Sequence, residues 1–150
     1  MKINFIIAIM LMSVIACKST KDIVNQKNSA KQTITLQNKY WKLIELRGQD
    51  VVYPEGIQVV HLTFRDNGTV DGCLACNKFH GNYSTDVNNN LKISDFIGTK
   101  KFCMVAMQIE NDMIEIVNTV VCYKIDDKRN LLFLDANAKL LAKFEAVDMD

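Results

Sequence analysis

Most of the chain alternates short apolar segments with turn sequences, and this pattern limits the possible fold more than any other feature. Within residues 59–64 an apolar residue recurs at every second position, so that Val60, Leu62 and Phe64 fall on one face of a predicted strand. The hairpin turn Asn67-Gly68 follows, because this pair readily adopts positive φ. Further strands are predicted at residues 40–46, 69–73, 81–84, 91–93, 120–125, 131–134 and 140–146.

One stretch changes from a strand period to a helical period. Within residues 104–118, Ile109, Met113 and Ile116 recur at helical spacing, while polar residues occupy the opposite face. This pattern predicts one amphipathic helix of about four turns. Strands precede and follow the helix, and turns this short join antiparallel neighbours. The predicted fold class is α+β, a curved antiparallel sheet or partial β-barrel with one main amphipathic helix.

Residues 1–16 are predicted to be a signal peptide that is separate from the fold. Lys2 gives a positive start, and the apolar run at 3–15 is shorter than the roughly 20 residues of a membrane span. The run closes on Ala16-Cys17, which resembles the bacterial lipobox, where a peptidase cuts before the Cys and lipid is attached to it. The alternatives are a buried N-terminal strand with an incidental Cys17, and a secreted protein without lipid.

Residues 17–38 are predicted to comprise the lipidated Cys17 and a flexible tether, which leaves 39–150 as the folded domain. The tether is rich in Lys, Ser, Thr, Asn and Gln, so it cannot bury enough apolar surface to offset its ordering entropy. Acyl chains on Cys17 would anchor the protein to a membrane without spanning it. Lys18, rather than Asp, favours the outer membrane, with the domain facing the periplasm.

The charge balance excludes one class of partner. The chain has 18 Lys and Arg against 17 Asp and Glu, and without Lys2 the two counts are equal at 17. Nucleic-acid binding requires clustered basic residues, so no nucleic-acid partner is expected. His61 and His80 lack a recognisable triad partner, and no glycine loop for phosphate is present. No catalytic, cofactor-binding or metal-binding residues are predicted.

The cysteines leave several arrangements open. With Cys17 assigned to lipid, four cysteines in an oxidising compartment most simply form two disulfides, with three possible connectivities. The spacing Cys73-x-x-Cys76 also admits a redox pair, although no amphipathic helix follows it to activate the first thiol. A zinc site of four cysteines needs two close pairs, whereas Cys103 and Cys122 lie far apart.

Three motifs in order suggest a known family. Residues 41–43 read Trp-Lys-Leu, residues 76–83 read Cys-Asn-Lys-Phe-His-Gly-Asn-Tyr after Gly72, and residues 99–103 read Thr-Lys-Lys-Phe-Cys. Together they resemble the META domain, also called HslJ-like, of bacterial envelope lipoproteins. The chain departs from that pattern at Ala75, where the family more often has Gly. It also departs at Lys101 and Phe102, where the family has Met and Ala.

The resemblance implies a small α+β, barrel-like domain with no established catalytic activity, associated with envelope stress or secretion. Cys76 and Cys103 occupy its two Cys-bearing motifs, which implies a disulfide between them. Cys73 and Cys122 would then form a second disulfide.

The remaining motif residues are expected to have structural roles. Asn77 is expected to bond backbone in its own turn, and Thr99 to cap the approach to the helix. Phe79, Gly81 and Tyr83 complete this set.

These observations favour a monomeric, non-catalytic envelope lipoprotein that binds an envelope protein or lipid and supports envelope integrity, stress tolerance or secretion. The first alternative is a lipid- or small-ligand-binding module with a Met-containing apolar groove. Its groove would be lined by Phe64, Met107, Met113 and Phe144. The second alternative is a thiol-disulfide oxidoreductase using Cys73 and Cys76.

Overall fold

A computed structural model describes residues 34–148, which form nine strands and one α-helix. The strands are Tyr40–Leu46 (β1), Gln49–Asp50 (β2), His61–Phe64 (β3), Thr69–Leu74 (β4), Asn77–Thr85 (β5), Leu91–Gly98 (β6), Cys122–Ile125 (β7), Asn130–Leu134 (β8) and Leu140–Val147 (β9). A 3-10 turn at Met104–Ala106 leads directly into the helix Met107–Thr119 (α1). The predicted signal peptide, Cys17 and residues 18–33 of the tether lie outside the described residues.

All nine described strands belong to one antiparallel sheet. Its order is β6-β5-β4-β3-β1-β9-β8-β7, with the short β2 paired to β1. The sheet curls into a half-barrel, and α1 is the single helix packed with it. The predicted α+β class with a curved sheet is therefore confirmed. No helix between residues 34 and 148 is long and apolar enough to cross a membrane.

The two edges of the sheet approach each other at one end. The amide of Leu91 donates to the Val121 carbonyl at 2.8 Å, and the amide of Tyr123 donates to the Asn89 carbonyl at 3.0 Å. These bonds join the β5–β6 turn to the start of β7. An edge strand that bonds in this way exposes fewer unpaired backbone groups.

The core follows the predicted periodicities. Alternate strand residues such as Trp41, Leu62 and Phe64 are fully buried inside the half-barrel, and the helix buries Met113 and Ile116 at helical spacing. The rings of the core pack edge to face or tilted, which aromatic pairs prefer. Hydrophobic burial therefore provides the main stabilisation of the domain.

The strands β5 and β6 extend beyond the predicted segments 81–84 and 91–93. In β5 the inward positions hold Asn77, Phe79 and Gly81, all of which are buried. Two of these three are not large apolar residues, so the alternation is weak in the sequence. β2 was not predicted, because two exposed residues carry no periodic signal.

The folded domain begins before the predicted boundary at residue 39. Leu36 is only 2% exposed, and its carbonyl accepts a hydrogen bond from Trp41 Nε1 at 2.8 Å. The amide of Asn38 donates to the Phe64 carbonyl at 2.8 Å. Residues 36–38, which were predicted as tether, therefore pack on the domain, because the apolar side chain of Leu36 is buried in the core.

The structure contains the predicted disulfide between Cys76 and Cys103. The predicted pairing of Cys73 with Cys122 is wrong, because both are free thiols. Cys73 lies on β4, where its thiol donates to Gln58 Oε1 at 3.1 Å. Cys122 begins β7, a strand that pairs with β8 and not with β4.

Replacing both Cys76 and Cys103 by Ser is expected to lower the free energy of unfolding. The disulfide closes a loop with a sequence separation of 27 residues. The chain-entropy model gives about 3–4 kcal/mol for a loop of this size. Urea unfolding followed by circular dichroism measures the loss.

The matched control is Cys122→Ser, which removes a free thiol and should change the midpoint little. Reductant should destabilise the wild type and leave the double variant unchanged. Equal stability of the wild type and the double variant would contradict the prediction.

Candidate functional site

The buried amide of Asn77 joins three parts of the domain. Its Oδ1 accepts from the Lys101 amide and from the Thr99 hydroxyl, each at 2.7 Å. Its Nδ2 donates to the Lys101 carbonyl at 3.0 Å and to the carboxylate of Glu110 on α1. An Asn side chain offers two donors and two acceptor lone pairs, so its bonding capacity is filled. Asn77 bonds backbone as predicted, but 24 residues away rather than in its own turn.

Thr99 does not cap the helix, which corrects the sequence prediction. Its hydroxyl donates to Asn77 Oδ1 and accepts from the Lys78 amide at 3.2 Å. The Thr99 amide donates to the Lys78 carbonyl at 3.0 Å. Neither the 3-10 turn nor α1 has a side-chain cap. Thr99 instead extends the ladder between β5 and the segment that follows β6.

Phe79 and two glycines allow the sheet to pack closely. A Cβ at Gly72 would lie 2.5 Å from Phe79 Cε1 and 2.2 Å from the His61 carbonyl. A Cβ at Gly81 would lie 2.9 Å from the Ser94 carbonyl. Phe79 also stacks on Phe96, with ring centroids 4.9 Å apart. Any larger residue at the two glycine positions would therefore displace backbone.

Tyr83 fixes the neighbouring hairpin. Its hydroxyl donates to the Arg65 carbonyl at 2.7 Å, and its ring meets Phe64 edge to face at 4.9 Å. All five motif residues predicted to be structural thus make contacts that hold the fold.

Ala75 takes a backbone conformation that favours glycine. Its φ is +74°, in the turn between β4 and β5. This conformation costs an L-residue roughly 1–2 kcal/mol. The methyl group is buried, which offsets part of that cost.

A groove of about 610 Å³ lies beside the ends of β3 and β4. Tyr40 and His61 stack along it, with ring centroids 4.2 Å apart. The groove is further lined by Gln58, Val59, Asp71, Gly72, Cys73, Lys78 and Phe79. It therefore combines flat aromatic surfaces with groups of both charges.

Burial disfavours the charged forms of two of the titratable groups that line the groove, His61 and Cys73. Burial lowers the pKa of His61, whose Nδ1 lies 3.0 Å from the Val59 carbonyl. Burial raises the pKa of the Cys73 thiol, so the thiolate that a nucleophilic reaction needs is disfavoured. Cys76 is bonded to Cys103 and not to Cys73, so the Cys-x-x-Cys spacing does not produce a disulfide of its own.

The apolar groove expected from the sequence is not formed. Phe64, Met113 and Phe144 are fully buried core residues, and Met107 is partly exposed. Within residues 34–148, no group of three or more His, Cys, Asp and Glu side chains could hold a metal ion.

An exposed apolar segment that the sequence pattern does not predict lies before the helix. Phe102, Met104 and Val105 are 77%, 75% and 68% exposed. Lys100 and Lys101 precede them and are also exposed. The feature of the sequence that could have indicated this segment is Phe102, because the family motif has the smaller Ala at this position.

Replacing Asn77 by Ala is expected to lower the free energy of unfolding by about 2–4 kcal/mol, because it leaves buried polar partners unbonded. The control Asn82→Ala removes an exposed amide of the same strand, whose Nδ2 donates to Asp95. That control should change stability by about 0.5 kcal/mol or less. Similar losses in both variants, measured by urea unfolding, would argue against the assigned role of Asn77.

The depressed pKa of His61 predicts a pH dependence of stability. Protonation is disfavoured in the folded state, so the stabilisation by neutral His61 is complete above pH 6.5. It is lost as the pH falls from there through the lower folded pKa. An NMR titration of the His61 ring should give a midpoint below 6.5 in the folded protein and a higher one in urea. A folded midpoint at or above 6.5 would contradict the prediction.

Comparison with known proteins places the domain. The META domain family matches residues 34–148. An NMR structure of a protein from Burkholderia xenovorans is similar with a TM-score of 0.59 at 19% identity, covering 76% of this chain and 85% of that one. A crystal structure of a DUF4847 family protein from Bacteroides vulgatus gives 0.56 at 17%, covering 77% and 96%. No curated protein matches the chain. The family match covers more than two thirds of the sequence, so the chain belongs to the META domain family.

Proposed function

We propose that this protein is a non-catalytic lipoprotein of the cell envelope whose META domain acts by binding. It would be held by lipid on Cys17, on the outer membrane and facing the periplasm. In this role it would support envelope integrity, stress tolerance or secretion.

The observation that carries the proposal is the use of the family's motif residues. Asn77, Phe79, Gly81, Tyr83 and Thr99 are all engaged in contacts within the domain. A reacting group must be free to meet a substrate, whereas the side chains of the other four residues already have partners and Gly81 has no side chain to react. The motif therefore supports a scaffold that presents a surface.

The proposed anchor rests on the sequence before the domain. The apolar run at 3–15 closes on Ala16-Cys17. Two or more acyl chains bind a bilayer stably, because each buried CH₂ contributes about 0.8 kcal/mol. The domain would then work near a membrane surface.

Replacing Cys17 by Ser tests the anchor. The wild type should incorporate labelled fatty acid and sediment with envelope membranes, and the variant should lose both properties. The control is Cys122→Ser, which leaves the lipobox unchanged. Equal fatty-acid labelling of the wild type and the Cys17 variant would overturn the anchor.

The same variants test the role in the envelope. A strain that lacks the protein should regain detergent resistance with the wild type and not with Cys17→Ser. Restoration by both proteins would show that anchoring is not needed.

The 610 Å³ groove favours a second candidate, a small-ligand-binding module. Its residues differ from those expected from the sequence, since Tyr40 and His61 supply the flat surface. Native mass spectrometry of the protein extracted from the envelope should find a bound small molecule that is lost in Tyr40→Ala. Tyr123→Ala, on β7, is the control. Absence of a bound molecule from the wild type would count against this candidate.

A thiol oxidoreductase using Cys73 and Cys76 is less well supported. Its attacking thiol would have to be accessible, whereas Cys73 is only 1% exposed and its thiol donates to Gln58 Oε1. Its partner Cys76 already bonds to Cys103.

A further inference from the structure

A short segment before the helix exposes three large apolar side chains in four consecutive positions. These are Phe102, Met104 and Val105, which we name the apolar tip. Isolated exposed apolar residues are common on protein surfaces, whereas a cluster of them marks an interaction site. The tip is therefore the strongest candidate for a binding surface in the described part of the chain.

The backbone of the apolar tip is held by contacts within it and on both sides of it. Cys103, within it, is bonded to Cys76, and Ala106 directly after it is buried. The backbone of Lys101 makes two hydrogen bonds to the Asn77 side chain. A segment held at these points loses little conformational freedom when it binds, which favours binding.

Positive charge lies next to the tip. Lys100 and Lys101 are exposed and directly precede Phe102. The nearest acidic side chain on the helix, Glu110, is partly buried and bonded to Asn77. Apolar side chains beside lysines match the interface of a bilayer with anionic headgroups, because the rings enter the acyl boundary and the ammonium groups meet the headgroups.

We propose that the apolar tip inserts into the surface of an anionic bilayer. The inference deepens the proposed function, since the lipid on Cys17 would bring the domain to that bilayer. Ile34 follows Cys17 by 17 residues, a length of chain that spans at most about 60 Å. This reach allows the domain to turn its tip toward the membrane that holds the lipid.

The test separates insertion from lipidation. All residues of the described core lie within 34–148, so a protein of residues 18–150 keeps every one of those core contacts. Residues 18–150 carrying an N-terminal histidine tag are bound to vesicles through a nickel-chelating lipid. The tag holds every variant at the vesicle surface, so insertion is measured independently of acylation at Cys17.

Insertion is read from a tryptophan introduced by Phe102→Trp. The native Trp41 is fully buried and provides a constant background. On vesicles containing phosphatidylglycerol, the new emission should shift to the blue and be quenched by brominated lipid. The control Val87→Trp, at a position 97% exposed in the β5–β6 turn, should show neither change. An unchanged Phe102→Trp signal would overturn the proposal.

Charge reversal tests the role of the lysines. Combined Lys100→Glu and Lys101→Glu should reduce the inserted fraction about tenfold, because each basic residue near an anionic surface strengthens binding. Lys92→Glu with Lys139→Glu changes the same net charge at exposed positions elsewhere and should have little effect. Near-ultraviolet circular dichroism confirms that each variant is folded.

Two further outcomes would also overturn the proposal. Equal insertion into phosphatidylcholine vesicles would remove the requirement for anionic lipid. A dimer in sedimentation analysis that is lost in Phe102→Ser would assign the tip to a second copy of the chain. If insertion occurs but the Cys17→Ser variant still incorporates fatty acid in cells, insertion of the apolar tip is supported and the proposed lipid anchor on Cys17 is contradicted.

Discussion

The hydrogen bonds of Asn77 are the constraint on which the rest of the domain depends. A single buried amide binds the backbone after β6, the hydroxyl of Thr99 and the carboxylate of Glu110 on α1. An Asp of the same shape could accept but not donate, and it would place a second carboxylate beside Glu110. The next residue back, Cys76, adds the covalent link to Cys103. Sheet, loop and helix are therefore joined at one place by two adjacent residues.

This joint gives the central residue of the family motif a structural role. The Asn77 amide is only 6% exposed, and its four hydrogen bonds are all made inside the domain. Glycines at 72 and 81 serve the same end, because they let β3 and β6 approach their neighbours without a Cβ between them. A rigid joint also fixes the segment that follows it, so the exposure of Phe102 is a consequence of how Lys101 and Cys103 are held.

Much of the fold could be predicted from the sequence, because burial on one face leaves a periodic signal. β1 was predicted with its observed ends, since Trp41 and Leu43 alternate with more polar residues. β5 was predicted too short because Asn77 and Gly81 occupy inward positions where apolar residues are expected. The joint itself was less predictable, because its partners lie 22 to 33 residues apart and no local pattern relates them.

The cysteines show where counting fails. An even number of cysteines in an exported domain suggests complete pairing, but a buried Cys behaves as a small apolar residue and needs no partner. The resemblance to the family identified the pair Cys76–Cys103, whereas the second pair was inferred by elimination and is absent. Pairing by elimination assumes that every thiol is oxidised, whereas Cys73 is a free thiol buried in the domain.

The environment of Cys73 also protects the disulfide three residues away. A thiolate near a disulfide can attack it and release the other sulfur, so a free thiol at this spacing could shift the bond from Cys103 to itself. Burial raises the pKa of Cys73, and its S–H is donated to Gln58 Oε1, so the attacking thiolate is scarce. The burial of Cys73 therefore favours the persistence of the link at Cys76, which holds the segment that carries the apolar tip.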